Sequence, residues 1–271
     1  MTGITAGLVK NLRDKTGAGM MDCKKALVES AGDVEKAVEY LRKSGITKAS
    51  KKAGRATNEG KIVSNISKAV AVLVEVLCET DFVAKNEKFG EFCDQLALRV
   101  AENYSETGDI SISVAEKETD WVTDLVAKVG ENIQVRRVLR WHPEGNCASY
   151  IHMGGKIGVL VDVADEADKS FLTDLCMHIA AFNPLYVAPD SVPPSIIEKE
   201  KEIAAAQPEI QKKPDAIVEK ILNGKIQKWY TENCLIKQPW LRDDKLSVEK
   251  AMKPGSTIQK FVRWQVGEEA E

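Results

Sequence analysis

The sequence predicts an α+β protein: a small helical head, a core of two related subdomains that mix strands and helices, and a helical hairpin inserted late in the chain. Three observations carry that reading. Apolar residues keep a helical spacing through residue 45, the pattern changes to strand alternation at Gly60, and Val72–Val76 is echoed by Val159–Val163. At 271 residues the chain exceeds one ordinary core and has room for about two domains of ~150 residues each.

The head spans residues 1–45. Ile4, Leu8, Val9 and Leu12 share one helical face, and Thr16-Gly17-Ala18-Gly19 stops that helix. A second helix starts near Met21 with Ala26, Leu27 and Ala31 inward; Gly32 closes it. Asp33 then caps a third helix that carries Val34, Ala37, Val38 and Leu41. Lys43, Lys48, Lys51, Lys52 and Arg55 follow without an acidic residue, amid Gly45, Ser50 and Gly54, and residues 46–59 read as a basic linker. A nucleic-acid arm is the other reading of that run, although no aromatic residue interleaves to stack on bases.

Residues 60–142 form the first core subdomain. Lys61 to Ser67 alternates as a strand, Lys68 and Ala69 make a tight connection, and Val70 to Val76 is an apolar run suited to a buried strand. A helix from about Glu87 to Tyr104 places Phe89, Phe92, Leu96, Val100 and Ala101 on one face. A further helix around Trp121 to Val129 leads into a strand from Ile133 to Leu139. The second subdomain, residues 143–191 and 236–271, repeats this plan: Cys176, Ile179 and Ala180 match Cys93, Leu96 and Ala97 on the helices that follow the paired strands. The first copy carries extra residues, Glu79-Thr80-Asp81-Phe82-Val83-Ala84-Lys85-Asn86, which packing does not require. An aromatic beside a carboxylate on a loop is a candidate for contact with another molecule, and Phe82 tucked under its own loop is the alternative.

Residues 192–235 read as an exposed antiparallel hairpin. Ile196 to Ala206 and Ala216 to Trp229 flank a Pro-interrupted polar turn, with Ile203, Ile210, Ile217, Ile221 and Leu222 as the seam. A last strand, Thr257 to Val266, closes a core sheet before an acidic tail.

Enzyme chemistry is hard to find. Lys plus Arg total 38 against 41 Asp plus Glu, so the net charge of −3 offers no general attraction to phosphate backbones or anionic lipid. The six cysteines, Cys23, Cys78, Cys93, Cys147, Cys176 and Cys234, lack metal or redox spacing and suit a reducing cytosol as small apolar groups. The first residues read as a charged helix in place of a secretory signal, and no apolar run approaches the ~20 residues of a membrane span, so a cytoplasmic protein is expected. Gly17-Ala18-Gly19 lacks the preceding strand of a dinucleotide site, and Gly154-Gly155-Lys156 lacks the upstream glycine of a phosphate loop. Asp162, Asp165, Glu166 and Asp168 miss the central glycine and final glutamate of a calcium loop and read as a solvated helix start. His142, His152 and His178 do not fall at ligand spacing; His152 follows Tyr150 at the mouth of a Gly-rich turn.

Three motifs in order resemble the elongation factor Ts family. Thr16-Gly17-Ala18-Gly19-Met20-Met21-Asp22-Cys23-Lys24-Lys25-Ala26-Leu27 is similar to the family's amino-terminal signature and Thr80-Asp81-Phe82-Val83-Ala84-Lys85-Asn86 to its second. Lys128-Val129-Gly130-Glu131-Asn132 with Arg136-Arg137 is similar to a third. The similarity spans nearly the whole chain and is weakest across the hairpin and the end, where a carboxy-terminal helical module of some members is expected to be missing. The resemblance implies a ubiquitin-associated-like head, a duplicated core of antiparallel sheets and a protruding coiled-coil hairpin. It implies a guanine-nucleotide exchange factor for elongation factor Tu in its GDP-bound and nucleotide-free forms, without covalent chemistry, cofactor, metal or direct nucleotide binding, and with no nucleic-acid or membrane partner. By that resemblance Arg13, Met20, Met21 and His152 dock on the partner. Thr80, Asp81, Phe82 and Val83 form the exchange loop, in which Asp81 and Phe82 press between partner helices and dislodge magnesium. The residues alone leave two other classes open: a ubiquitin-type adaptor, because Gly19-Met20 resembles the binding loop of such bundles, and an RNA-binding protein using the basic run with Arg136, Arg137 and Arg140.

Overall fold

The structure, a computed structural model, describes residues 4–67, 69–164 and 168–269. The head consists of helices α1 (Ala6–Thr16), α2 (Met20–Glu29) and α3 (Val34–Lys52) around Leu12, Cys23, Ala26, Leu27 and Ala37. The Thr5 hydroxyl accepts the Leu8 amide at the start of α1. Gly17, at φ 67°, turns the chain and returns its amide to the Arg13 carbonyl at 2.7 Å. Asp33 caps α3 by accepting the amides of Glu35 and Lys36.

The expected linker differs from what forms, because α3 runs through Lys52 and much of the basic segment is helix. Gly45, which reads as a linker residue, is buried where α3 crosses helix α7 (Thr119–Val129); a Cβ added there would stand 3.3 Å from the Cβ of Ala127. Glycine in a helix costs about 1 kcal/mol relative to alanine, and the close approach of two helices offsets it. The expectation for Lys68 lies outside the described residues.

Sheet A has the order β1 (Glu59–Ile66), β2 (Ala71–Cys78), β4 (Ile133–Trp141), β3 (Gly108–Asp109), each pair antiparallel. Sheet B has the order β5 (Asn146–His152), β6 (Ile157–Ala164), β9 (Thr257–Gln265), also antiparallel throughout. The repeated apolar runs are therefore the central strands β2 and β6. Val72, Val74 and Val76 of β2 face helix α5 (Glu87–Asn103), through Phe89, Phe92, Leu96 and Val100, and α7. Val159, Val161 and Val163 of β6 face helix α8 (Lys169–Phe182) in the same way. The opposite faces meet each other through Ile62, Ala71, Leu73 and Leu160. Gly158 permits that contact, since a Cβ there would lie 2.3 Å from Cγ2 of Ile62. The layers run helix, sheet, sheet, helix, which is why both central strands are apolar on both faces.

The repeat extends to a pair of buried carboxylates. Glu75 in β2 and Asp162 in β6 are fully buried, and each stands just before a bulge in its strand. Arg136 and Arg137 bind Glu75, which also accepts the Gly267 amide at 3.1 Å. Asp162 accepts the amides of Glu144 and Gly145 at 2.9 and 3.1 Å. Asp162 is thus a structural acceptor inside the sheet, not part of a solvated helix start; Asp165 and Glu166 lie outside the described residues.

The late insertion folds as helices α9 (Pro194–Ala205), α10 (Pro208–Gln211) and α11 (Asp215–Asn233). Its seam departs from expectation. Ile210 is buried and Ile221 and Leu222 are half-buried, but Ile203 and Ile217 are exposed, and Ala204 and Ile226 are the buried residues of α9 and α11. Pro208 opens a separate turn, so the helical phase before it does not continue into α11. At the base, Leu235 is buried in the core of the second subdomain, and its amide donates to the Tyr186 carbonyl at 2.8 Å. Short elements that periodicity does not reveal complete the fold: α4 (Asp81–Ala84), α6 (Ser111–Lys117), β7 (Pro239–Trp240), β8 (Asp243–Ser247) and α12 (Val248–Ala251). Among the described residues no helix is long and apolar enough to cross a membrane.

Candidate partner-binding site

The segment between β2 and α5 is a single helical turn with a designed inside and outside. Thr80 stays extended and its hydroxyl accepts the Val83 amide at 3.4 Å, which starts α4. Val83 is buried in the core under sheet A, and Ala84 packs against the same cluster. With those two residues inward, the turn carries Phe82 outward, where it is 82% exposed. Of the two readings of this loop, the one in which Phe82 is tucked away is not what forms. Asp81 is half-buried beside it and accepts a hydrogen bond from Lys85 at 2.7 Å, which holds its carboxyl below the usual aspartate value. The same contact raises the lysine.

The turn is tied down by residues from the third sequence motif, to which sequence reasoning assigns no role. Glu131 accepts the Thr80 amide at 3.0 Å and the Thr80 hydroxyl at 2.6 Å. Glu79 accepts the Asn132 amide at 2.6 Å, and that bond, with Arg55 close by, keeps its carboxyl below the ordinary glutamate value. The Asn132 side chain donates to the Arg55 carbonyl at 2.9 Å, and Lys52 donates to the carbonyl of Gly130. Motif order alone could have flagged Glu131 and Asn132; their partners emerge only when β4 lies beside β2.

Arg13, Met20 and Met21 are exposed on the head. Cys23, Ala26 and Leu27 take the inner face of α2, and its first turn therefore leaves Met20 55% and Met21 74% exposed. Two adjacent methionines in water form a deformable apolar surface. A cleft between head and core is lined by Lys15, Gly17, Lys88, Phe92, Trp121 and Lys128. His152 stands apart from the turn at Asp81–Ala84 in sequence and sheet. It ends β5, and its Nδ1 is 2.9 Å from the Tyr150 hydroxyl.

The other candidate chemistries resolve into packing. Nδ1 of His142 is 2.8 Å from the Ala69 carbonyl oxygen, and His178 is buried against Gln238, Phe182 and Trp240. All six cysteines are free thiols. Burial pushes Cys78 and Cys147 up to about 12 and Cys234 up to about 11, and raises Cys93 and Cys176 as well. No group of His, Cys, Asp and Glu among the described residues is arranged to hold a metal ion. Gly154 and Gly155 form the turn from β5 to β6, with Gly155 pressed against Lys61 and Ile62 of β1.

Comparison with known proteins gives one answer. The family described as elongation factor TS matches residues 79–268. An elongation factor Ts of Alcanivorax borkumensis is 44% identical, covering 97% of this chain and 94% of that protein. Proteins of the same name from Clostridium botulinum and Clostridium perfringens are 45% and 46% identical, each covering 99% of this chain and 94% of their own. This chain belongs to the elongation factor Ts family, whose members are nucleotide exchange factors for elongation factor Tu and not catalysts of covalent chemistry.

Proposed function

We propose that this protein binds elongation factor Tu in its GDP-bound and nucleotide-free forms and speeds GDP release by inserting the turn at Asp81 and Phe82. The observation that carries the reading is a large aromatic side chain held 82% exposed on a turn whose flanking residues are buried or hydrogen-bonded. A side chain displayed in this way costs the free protein its hydration and returns that cost only on contact. Phe82 serves as an apolar wedge between partner helices. Asp81, ionised and paired with the exposed Lys85, competes for the magnesium shell of the nucleotide. Arg13, Met20 and Met21 of the head, residues 1–45, provide docking surface, as does His152, and Thr80 and Val83 support the turn. The core comprises residues 60–142, 143–191 and 236–271, with the hairpin of residues 192–235 as an appendage whose last residue, Leu235, is buried in that core, and the site of action is the cytoplasm.

A protein partner is favoured over RNA by the state of the basic residues. Lys43 pairs with Glu39, Lys48 with Asp22 and Arg55 with Glu79. Arg136 and Arg137 are bound to Glu75, and Arg140 is buried against the carbonyls of Val100 and Glu106. The decisive experiment is release of fluorescent GDP from elongation factor Tu with and without this protein. A rate that does not rise with its concentration ends the proposal.

A further inference from the structure

A helix of one turn has no stability of its own, because the nucleus of a helix is unfavourable until it is extended or held. The turn that carries Phe82 is held by a reciprocal exchange between the end of β2 and the entry to β4. Glu131 takes the amide and hydroxyl of Thr80, while Glu79 takes the amide of Asn132. Each carboxylate is thus bonded to the backbone beside the other. The Thr80 carbonyl accepts from the Cys78 thiol at 3.2 Å, and its hydroxyl passes the constraint on to the Val83 amide. Gly130, at φ 90°, makes the bend that brings Glu131 to the loop, and Lys52 and the Asn132 side chain tie the same bend to the exit of α3.

We propose that Glu131 is a positioning residue for nucleotide exchange: its two hydrogen bonds to Thr80 fix the direction in which Phe82 points. The inference rests on the wedge reading above. Val83 anchors the inner side of the turn, and the freedom that remains is rotation and unwinding at Thr80. A wedge sampling many directions is competent for only a fraction of the time, and the observed affinity and rate fall by that fraction. Freeing the backbone at Thr80 costs about a tenfold loss, equivalent to about 1.4 kcal/mol, which is the scale of ordering one residue.

The test uses the full-length chain with Glu131→Ala, Glu131→Gln, Thr80→Val and Phe82→Ala, alone and in pairs. Release of fluorescent GDP from elongation factor Tu is followed over a range of factor concentrations, and amide hydrogen exchange is followed in the free factor. Glu131→Ala is expected to slow release about tenfold and to speed amide exchange at Thr80 and Val83. Glu131→Gln, which still accepts the Thr80 amide and offers the hydroxyl a donor, is expected to recover most of the rate. In a Phe82→Ala background Glu131→Ala is expected to add less than twofold, since there is no wedge left to aim. A full tenfold effect on top of Phe82→Ala would show that Glu131 acts elsewhere. A wild-type rate for Glu131→Ala beside a slow Phe82→Ala overturns the positioning role and leaves the wedge standing, whereas a wild-type rate for Phe82→Ala overturns both. Should Glu131→Ala fail to fold, Thr80→Val, which removes the hydroxyl arm to Glu131 together with the cap on the Val83 amide and leaves the amide arm in place, carries the same expectations at about threefold or more.

Discussion

Replacing Phe82 by alanine separates the work of the exposed turn from its structure. In the free protein Phe82 is 82% exposed and Val83 supplies the buried anchor, so the substitution falls among surface changes worth within about 0.5 kcal/mol and the melting temperature should hold. Against the partner the account differs. Burying about 150 Å² of the ring at ~25 cal/mol per Å² is worth up to about 4 kcal/mol, before the strain of opening the partner is subtracted. At 1.4 kcal/mol per decade, one to three decades in GDP release rate are expected to be lost. The assay is stopped-flow release of fluorescent GDP at saturating factor, repeated with free magnesium chelated. Phe82→Ala should stay slow under chelation. Asp81→Asn keeps the size of the side chain but removes its charge, and its defect should shrink once the cation is gone. Wild-type rates for both variants at ordinary magnesium would refute the reasoning, and so would cooperative unfolding of Phe82→Ala at a much lower temperature.

Three further outcomes follow from the packing. Burial lowers the His178 imidazole below the ordinary histidine value of about 6.5, so its contribution to stability is complete above pH 6.5 and is lost as pH falls toward the folded value; in urea titrations His178→Asn should flatten the pH dependence below 6.5 by up to about 1.4 kcal/mol per pH unit, and an unchanged slope rejects the assignment. Glu75→Ala takes the shared, fully buried carboxylate from the part-buried Arg136 and Arg137, which keep Glu268 and the carbonyls of Glu268 and Gln265 as partners, and should cost about 1.5–3 kcal/mol in chemical denaturation, so a loss below about 0.5 kcal/mol would mean that the network carries little. Replacing residues 195–229 by a short Gly-Ser linker should preserve cooperative melting of the core, whereas a cut extended through the fully buried Leu235 should lower it; equal melting of the two variants would show that Leu235 is dispensable to the second core.

Contacts between near neighbours along the chain are written directly in the order of its residues. The stop at Gly17, the cap at Asp33, the central strands β2 and β6 and the buried faces of α5 and α8 follow from period, turn chemistry and the internal repeat. The family resemblance was legible in three motifs, because each is a contiguous run whose order survives in the linear chain. Tertiary structure decided whatever depended on groups far apart in sequence. Gly45 sits inside a helix where α3 crosses α7, and a Cβ there would press on that of Ala127, a contact that the local sequence does not record. In the hairpin Ala204 and Ile226 are the buried residues of α9 and α11, because the face each helix turns inward is set by their pairing with one another. Above all, whether Phe82 hides or faces solvent could not be read from its own loop. Val83 and Ala84 settle it by taking the inner side of the turn, and Glu131 holds Thr80 from 51 residues away, an arrangement that exists only once β4 has paired with β2. Local preference selects which elements form, but a one-turn helix is too short to stabilise itself, so its direction is set by the distant groups that satisfy its backbone.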